Sequence, residues 1–166
     1  MSKLCIAGIM DESIVDGPGI RFVIFTQGCP HHCEGCHNPQ THAFDGGEQM
    51  ETQDLLDRIR ENPLLSGVTF SGGEPFCQPA PLTEMAKELH RMGKHIMAYS
   101  GYTFEQLRDS DDPDRRALLE QCDILVDGPF VLSLRDTLLR FRGSSNQRLI
   151  DVPASLARGE AVLWGN

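Results

Sequence analysis

Three cysteines, Cys29, Cys33 and Cys36, fall within eight residues, with three and then two residues between neighbours. A thiolate is a soft anionic ligand, and several converging on one place suit zinc, copper(I) or an iron–sulfur cluster. A four-iron cluster usually takes four cysteines, so a stretch that offers three leaves one iron open to a ligand from outside the protein. His31, His32, His37 and His42 crowd the same stretch, and a zinc ion held by the cysteines with one histidine is the competing chemistry. Structural zinc loops favour paired two-residue spacings, with the second pair further along. Here one gap is three residues long and no second pair follows, which favours the cluster. Cys5, Cys77 and Cys122 lie in or near apolar runs and read as small core residues.

The elements that must position these thiols can be read around them. Arg21-Phe22-Val23-Ile24-Phe25-Thr26-Gln27 is rich in β-branched and aromatic residues and reads as a buried strand running straight into Cys29. Upstream, residues 4–10 form a short apolar run, and Asp16-Gly17-Pro18-Gly19 turns the chain. Downstream, Thr52 can cap a helix whose Leu55, Leu56 and Ile59 share one face, ended by Asn62-Pro63. Val68-Thr69-Phe70 is a short strand leading into Ser71-Gly72-Gly73-Glu74-Pro75. Pro81 opens a second helix that Gly93 closes, and residues 94–99 form the next strand. Thr103 and Gln106 have capping-box spacing for a third helix. Asp112-Pro113 opens a fourth. Residues 123–127 make a strand stopped by Gly128-Pro129, and residues 149–152 can add a last one. Residues 131–141 fit helix or extended chain equally.

Strands alternating with helices imply right-handed βαβ units and a parallel sheet. A closed eight-fold barrel needs about 250 residues. A chain of 166 residues therefore predicts an α/β fold of the open, partial (β/α) barrel kind, with about six mostly parallel strands in one domain over 1–166. Function in such sheets gathers at the carboxyl ends of the strands. The cysteine stretch, the Gly72-Gly73 turn, Ser100-Gly101-Tyr102 and Asp127 all follow strands and are expected on one rim.

Apolar content of 40% and charged content of 23% are those of an ordinary globular chain. No apolar run reaches membrane-spanning length, and the run before Asp11-Glu12 is too short for a signal peptide. Six cysteines without an export signal place the chain in the reducing cytoplasm. With 24 acidic and 15 basic side chains the net charge is −9, a field that repels phosphate and argues against nucleic-acid or membrane binding. Residues 135–148 run against that balance: Arg135, Arg140, Arg142 and Arg148 face a single acid, Asp136. The stretch is either a solvated loop or a docking surface for an acidic partner.

The cysteine spacing directly after a strand resembles the cluster loop of the radical S-adenosylmethionine (SAM) superfamily. Asp16-Gly17-Pro18-Gly19-Ile20-Arg21, followed by the strand and Gln27-Gly28-Cys29, looks like the opening segment of glycyl-radical-enzyme activases. Among those, Gly35-Cys36-His37-Asn38, Ser71-Gly72-Gly73-Glu74-Pro75, Ser100-Gly101-Tyr102-Thr103, residues 125–130 and above all Phe141-Arg142-Gly143-Ser144-Ser145-Asn146-Gln147-Arg148 resemble the activating proteins of anaerobic (class III) ribonucleotide reductases. The likeness runs from the first turn to about Val152.

That resemblance implies a [4Fe–4S] cluster on Cys29, Cys33 and Cys36, with SAM chelating the fourth iron. It implies reductive cleavage of SAM to a 5′-deoxyadenosyl radical, which takes a hydrogen from a glycine of the large reductase subunit. It assigns the carbonyls of Gly72 and Gly73 to the methionine ammonium, with Glu74 nearby, although a Gly-Gly pair also serves simply as a tight turn. Gly35 stands where many superfamily members carry a bulky residue beside the adenine, so contact there would come from the backbone of Gly35, Cys36 and His37. Ser100 and Asp127 could reach the SAM carboxylate or ribose, and Asp127 could equally cap a loop. The partners implied are the reductase and an acidic electron donor such as flavodoxin. The near alternative is an activase of another glycyl radical enzyme, of formate-lyase type.

Overall fold

The computed structural model describes residues 2–165. Seven strands form one open sheet: β1 (Lys3–Ser13), β2 (Arg21–Thr26), β3 (Glu48–Glu51), β4 (Gly67–Gly72), β5 (His95–Tyr99), β6 (Ile124–Asp127) and β7 (Arg148–Asp151). Their order across the sheet is β3-β1-β2-β4-β5-β6-β7, so β3 and β7 are its edges.

The expectation of about six mostly parallel strands needs correcting. β2, β4, β5 and β6 pair in parallel, but β1–β2, β1–β3 and β6–β7 are antiparallel. Parallel neighbours need a crossover of a dozen or more residues. The turn between Ser13 and Arg21 is too short for one, so β1 folds straight back on β2. Between β6 and β7 the chain is long enough but makes only a short 3-10 turn, Leu132–Leu134, and returns antiparallel. The same turn and the bridge Arg135–Ser144 answer the open question of residues 131–141, which contain no α-helix.

The helices are α1 (Thr52–Arg60), α2 (Pro79–Arg91), α3 (Phe104–Arg108), α4 (Pro113–Gln121) and α5 (Val152–Arg158). The capping box on α3 is complete: Gln106 N–H donates to Thr103 Oγ1 at 3.2 Å and Thr103 N–H to Gln106 Oε1 at 2.9 Å. Asp112 caps α4 by accepting from Asp114 N–H. Strand alternation divides the apolar residues between two faces. Phe22, Ile24, Val68, Phe70, Ile96, Ala98 and Leu125 pack beneath Leu55, Ile59, Leu82, Met85, Leu89 and Leu118 of the helices. On the opposite face Met97, Ile124 and Val126 form a smaller cluster with Tyr99, Phe141, Leu149 and Trp164. That second face carries no helix layer and opens to the site.

Arg21 anchors the floor of this open face. Its side chain is fully buried, and the guanidinium donates to Thr69 Oγ1 (2.7 Å) and to the carbonyls of Pro18, Val68 and His95. Burial lowers its pKa to about 10, so it stays charged at neutral pH and ties β2, β4 and β5 together at their amino ends.

Candidate functional site

β2 delivers the chain into the cysteine loop, and a returning segment fastens that loop from behind. Gly28 N–H donates to Thr41 O at 2.6 Å and Cys29 N–H to His42 O at 3.1 Å, while the Gln27 amide reaches the carbonyls of Gln40 and Ala43. Asn38 N–H points at the Cys36 sulfur at 3.4 Å. His32 adopts φ 49°, a left-handed conformation uncommon for a residue with a side chain, which bends the loop between the first two cysteines.

The loop forms one wall of a cavity of about 490 Å³. Cys29, Cys33, Cys36, His37, Gly72, Gly73 and Ser100 all line it, as do Tyr99, Phe141 and Arg142 from the open face. A groove of comparable size, about 520 Å³, lies between α1 and α2 on the outer helical surface. It holds no cysteine, so the chemistry belongs to the first.

Glu74 holds this arrangement together. Its carboxylate has no solvent exposure and accepts from Phe76 N–H (3.0 Å), Gly101 N–H (2.8 Å), Ser100 Oγ (2.9 Å) and His31 Nε2 (2.6 Å). His31 is packed edge-on against Tyr102, with ring centres 4.6 Å apart. One carboxylate thus joins the cysteine loop, the glycine turn and the turn after β5.

The glycine turn itself is pressed against the root of the cysteine loop. A Cβ on Gly72 would stand 2.3 Å from Thr26 N, and one on Gly73 would stand 2.6 Å from Gly28 O. Only glycines let the two backbones meet this closely, and Glu74 N–H donates to Gly28 O across the junction.

The donor set fits a cluster. Three thiols of one ligand type line a single cavity, and iron–sulfur clusters are held by such thiolates. Among the described residues no three His, Cys, Asp or Glu side chains draw close enough to share one metal ion. Burial raises the pKa of Cys29, and the charges of Glu74, Cys33 and Cys36 add to the rise against a hydrogen bond from the His31 backbone. Finally, His42 lines the same cavity with a buried Nε2 that has no hydrogen-bond partner.

The other residues singled out from the sequence fall in different places. Gly35 is exposed outside the cavity at φ +74°, where a Cβ would meet Leu132 Cδ1 at 2.8 Å. His37 lines the cavity beside Phe130, with ring centres 5.2 Å apart. Asp127, 1% exposed, is not on the cavity wall. It accepts from Phe104 N–H at the start of α3 and from Arg148 Nε at 3.0 Å. Arg148 also pairs with Glu105, whose pKa it pulls below the usual carboxylate value. Of the four arginines in 135–148, Arg148 is thus committed internally. Arg142 donates to Gln147 O and faces the cavity with a buried, unpartnered Nε. Arg140 lies over the rings of Phe141 and Trp164, and Arg135 is exposed. Cys5, Cys77 and Cys122 do not line the cavity.

A family model described as a 4Fe-4S single cluster domain matches residues 15–150. An anaerobic ribonucleoside-triphosphate reductase-activating protein of Vibrio cholerae is 36% identical over 143 residues, covering 81% of this chain and 89% of that one. The chain belongs to this family of activating proteins. A pyruvate formate-lyase-activating enzyme of Clostridium pasteurianum is 42% identical over 95 residues, or 54% of this chain and 40% of that one. Among solved structures, QueE from Escherichia coli overlaps 61% of this chain and 54% of its own, at 20% identity and a TM-score of 0.47.

In this activating protein, then, sequence reasoning located the thiols and turns but not the groups between them. His31, His42 and Arg142 each contribute to the cavity or its frame. Their signal was weak: histidines inside the cysteine stretch, and an arginine beside a glycine in a loop. Among the described residues no helix is long and apolar enough to cross a membrane.

Proposed function

We propose that this activating protein binds a [4Fe–4S] cluster through Cys29, Cys33 and Cys36, cleaves SAM reductively there, and installs a glycyl radical on anaerobic ribonucleotide reductase. When bound, the cluster and SAM together supply an electron and a 5′-deoxyadenosyl radical able to take a hydrogen atom from a glycine α-carbon. The chain's own residues supply place and exclusion. The carbonyls of Gly72 and Gly73, and Ser100, receive the amino-acid end of SAM. The backbone of Cys36 and His37, which line the cavity, borders the adenine, while Gly35 shapes the turn from outside it. Arg142, with an unpartnered nitrogen on the cavity wall, offers the positive charge for the carboxylate. Glu74 and Asp127 act on this reading as frame, since their oxygens already hold the backbones of other turns.

The observation that carries the reading is the single cavity shared by the three thiols, the glycine turn and Ser100. Its lining includes the exposed apolar side chains of Met10 and Val15 and the half-buried Leu139. An open sheet with such a lining suits a peptide loop presented by a large partner. On this reading the four parallel strands, β2, β4, β5 and β6, serve as the partial barrel on whose rim the cofactor sits. Exposed Arg135 and Arg140 suit an acidic electron donor such as flavodoxin, and free thiols of this number suit the reducing cytoplasm.

Mixing the reduced, reconstituted chain with SAM and the anaerobic reductase tests this reading by electron paramagnetic resonance (EPR). A glycyl-radical doublet on the reductase is the expected result. A doublet on a formate-lyase-type enzyme and none on the reductase would favour the alternative target. The absence of a doublet on either would overturn the reading.

A further inference from the structure

Three buried polar atoms have no hydrogen-bond partner among the described residues: His42 Nε2, His95 Nδ1 and Arg142 Nε. A buried donor left without a partner has lost its water and gained nothing in return, so each such atom asks for an acceptor. His95 lies at the amino end of β5, away from the cysteine loop. Arg142 has its role above. His42 is the one held beside a cysteine ligand. Its carbonyl accepts from Cys29 N–H at 3.1 Å, its ring meets His32 edge-on with centres 5.4 Å apart, and it lines the cavity with all three thiols. One backbone amide already aims at sulfur in this loop, Asn38 N–H toward Cys36 at 3.4 Å.

We propose that His42 Nε2–H donates a hydrogen bond to a sulfur of the cluster and thereby sets its reduction potential. The inference rests on the reading of Cys29, Cys33 and Cys36 as cluster ligands. Hydrogen bonds to the sulfurs are among the terms that set the potential of an iron–sulfur centre. The reduced cluster carries one more negative charge than the oxidised one, so the bond favours the reduced state. Losing it makes reduction harder, which matters for a centre that must accept an electron before SAM is cleaved.

The test uses the full chain, reconstituted without air, as wild type, His42→Phe, His42→Gln and His32→Phe. Iron content is measured first. The potential is then read by redox titration in the absence of SAM. His42→Phe should make reduction about tenfold less favourable, a fall of about 59 mV for one electron. His42→Gln, which keeps an N–H at similar reach, and His32→Phe, which keeps the ring contact, should stay within about threefold of wild type. Pulsed EPR on the reduced, histidine-¹⁵N-labelled chain should show a nitrogen coupling that His42→Gln abolishes. Full iron in His42→Phe with an unchanged potential overturns the inference. Where that variant holds no cluster, the nitrogen coupling decides, and its persistence in His42→Gln overturns the inference. A wild-type chain that takes up no iron overturns the reading of the cysteines, and this inference with it.

Discussion

His31 Nε2 stands 2.6 Å from Glu74 Oε1, and this contact joins the loop that carries the thiols to the turn that follows β4. Because Glu74 is wholly buried and also accepts from Gly101 N–H and Ser100 Oγ, three strand ends share one carboxylate. The geometry of the cavity is therefore set by a residue that does not face it.

Removing that carboxylate should loosen the whole rim. Glu74→Ala leaves several buried donors unsatisfied and should cost about 3 kcal/mol or more in urea denaturation, with reduced iron uptake. Glu74→Gln keeps one acceptor oxygen but turns an N–H₂ toward donors, so an intermediate loss is expected. A Glu74→Ala chain as stable as wild type would show that the rim is held elsewhere.

Acid should weaken the fold through His95. Burial, the Arg21 charge and His90 lower its pKa below the ordinary 6.5, with Asp123 opposing. The unfolded chain therefore binds the proton more readily than the folded one. This contribution to stability is present above about pH 6.5 and is lost as the pH falls toward the folded-state pKa. The urea midpoint should drop between about pH 7.5 and pH 5.5, and His95→Gln should flatten that drop. Equal slopes in both chains would remove His95 from the account.

Arg142 offers a separable test of the cofactor pocket. Arg142→Gln should bind SAM about tenfold more weakly by equilibrium dialysis of the cluster-loaded chain, because a charge-assisted hydrogen bond is lost. Arg142→Lys should recover part of the affinity, and iron content should not change. An unchanged dissociation constant in Arg142→Gln would place the carboxylate elsewhere.

What could be read in the sequence was local. β2, the capping box at Thr103 and the glycine turn each carry their signal within a few residues, as strand composition, cap spacing or a paired glycine. The strand polarity at the edges was misjudged because it depends on the length and content of connections. β3, with the sequence Glu-Gln-Met-Glu, exists only by pairing with β1 and has little apolar pattern of its own. α5 was missed because its helical run follows β7 directly, with Asp151 serving both as strand end and as cap. Within the site, the thiols were plain from their spacing. The partnership of His31 with Glu74 joins residues 43 positions apart and has no signature short of the fold.

The central claim is that three thiolates hold a cluster with one iron left open to SAM. Anaerobic reconstitution with iron and sulfide, followed by an assay for 5′-deoxyadenosine in wild type and Cys33→Ala, tests it most directly. The account predicts about four irons per chain and SAM cleavage in the wild type, with the cluster lost or crippled and turnover abolished in Cys33→Ala. A colourless wild-type protein carrying one zinc, or a Cys33→Ala chain that cleaves SAM at the wild-type rate, would contradict it.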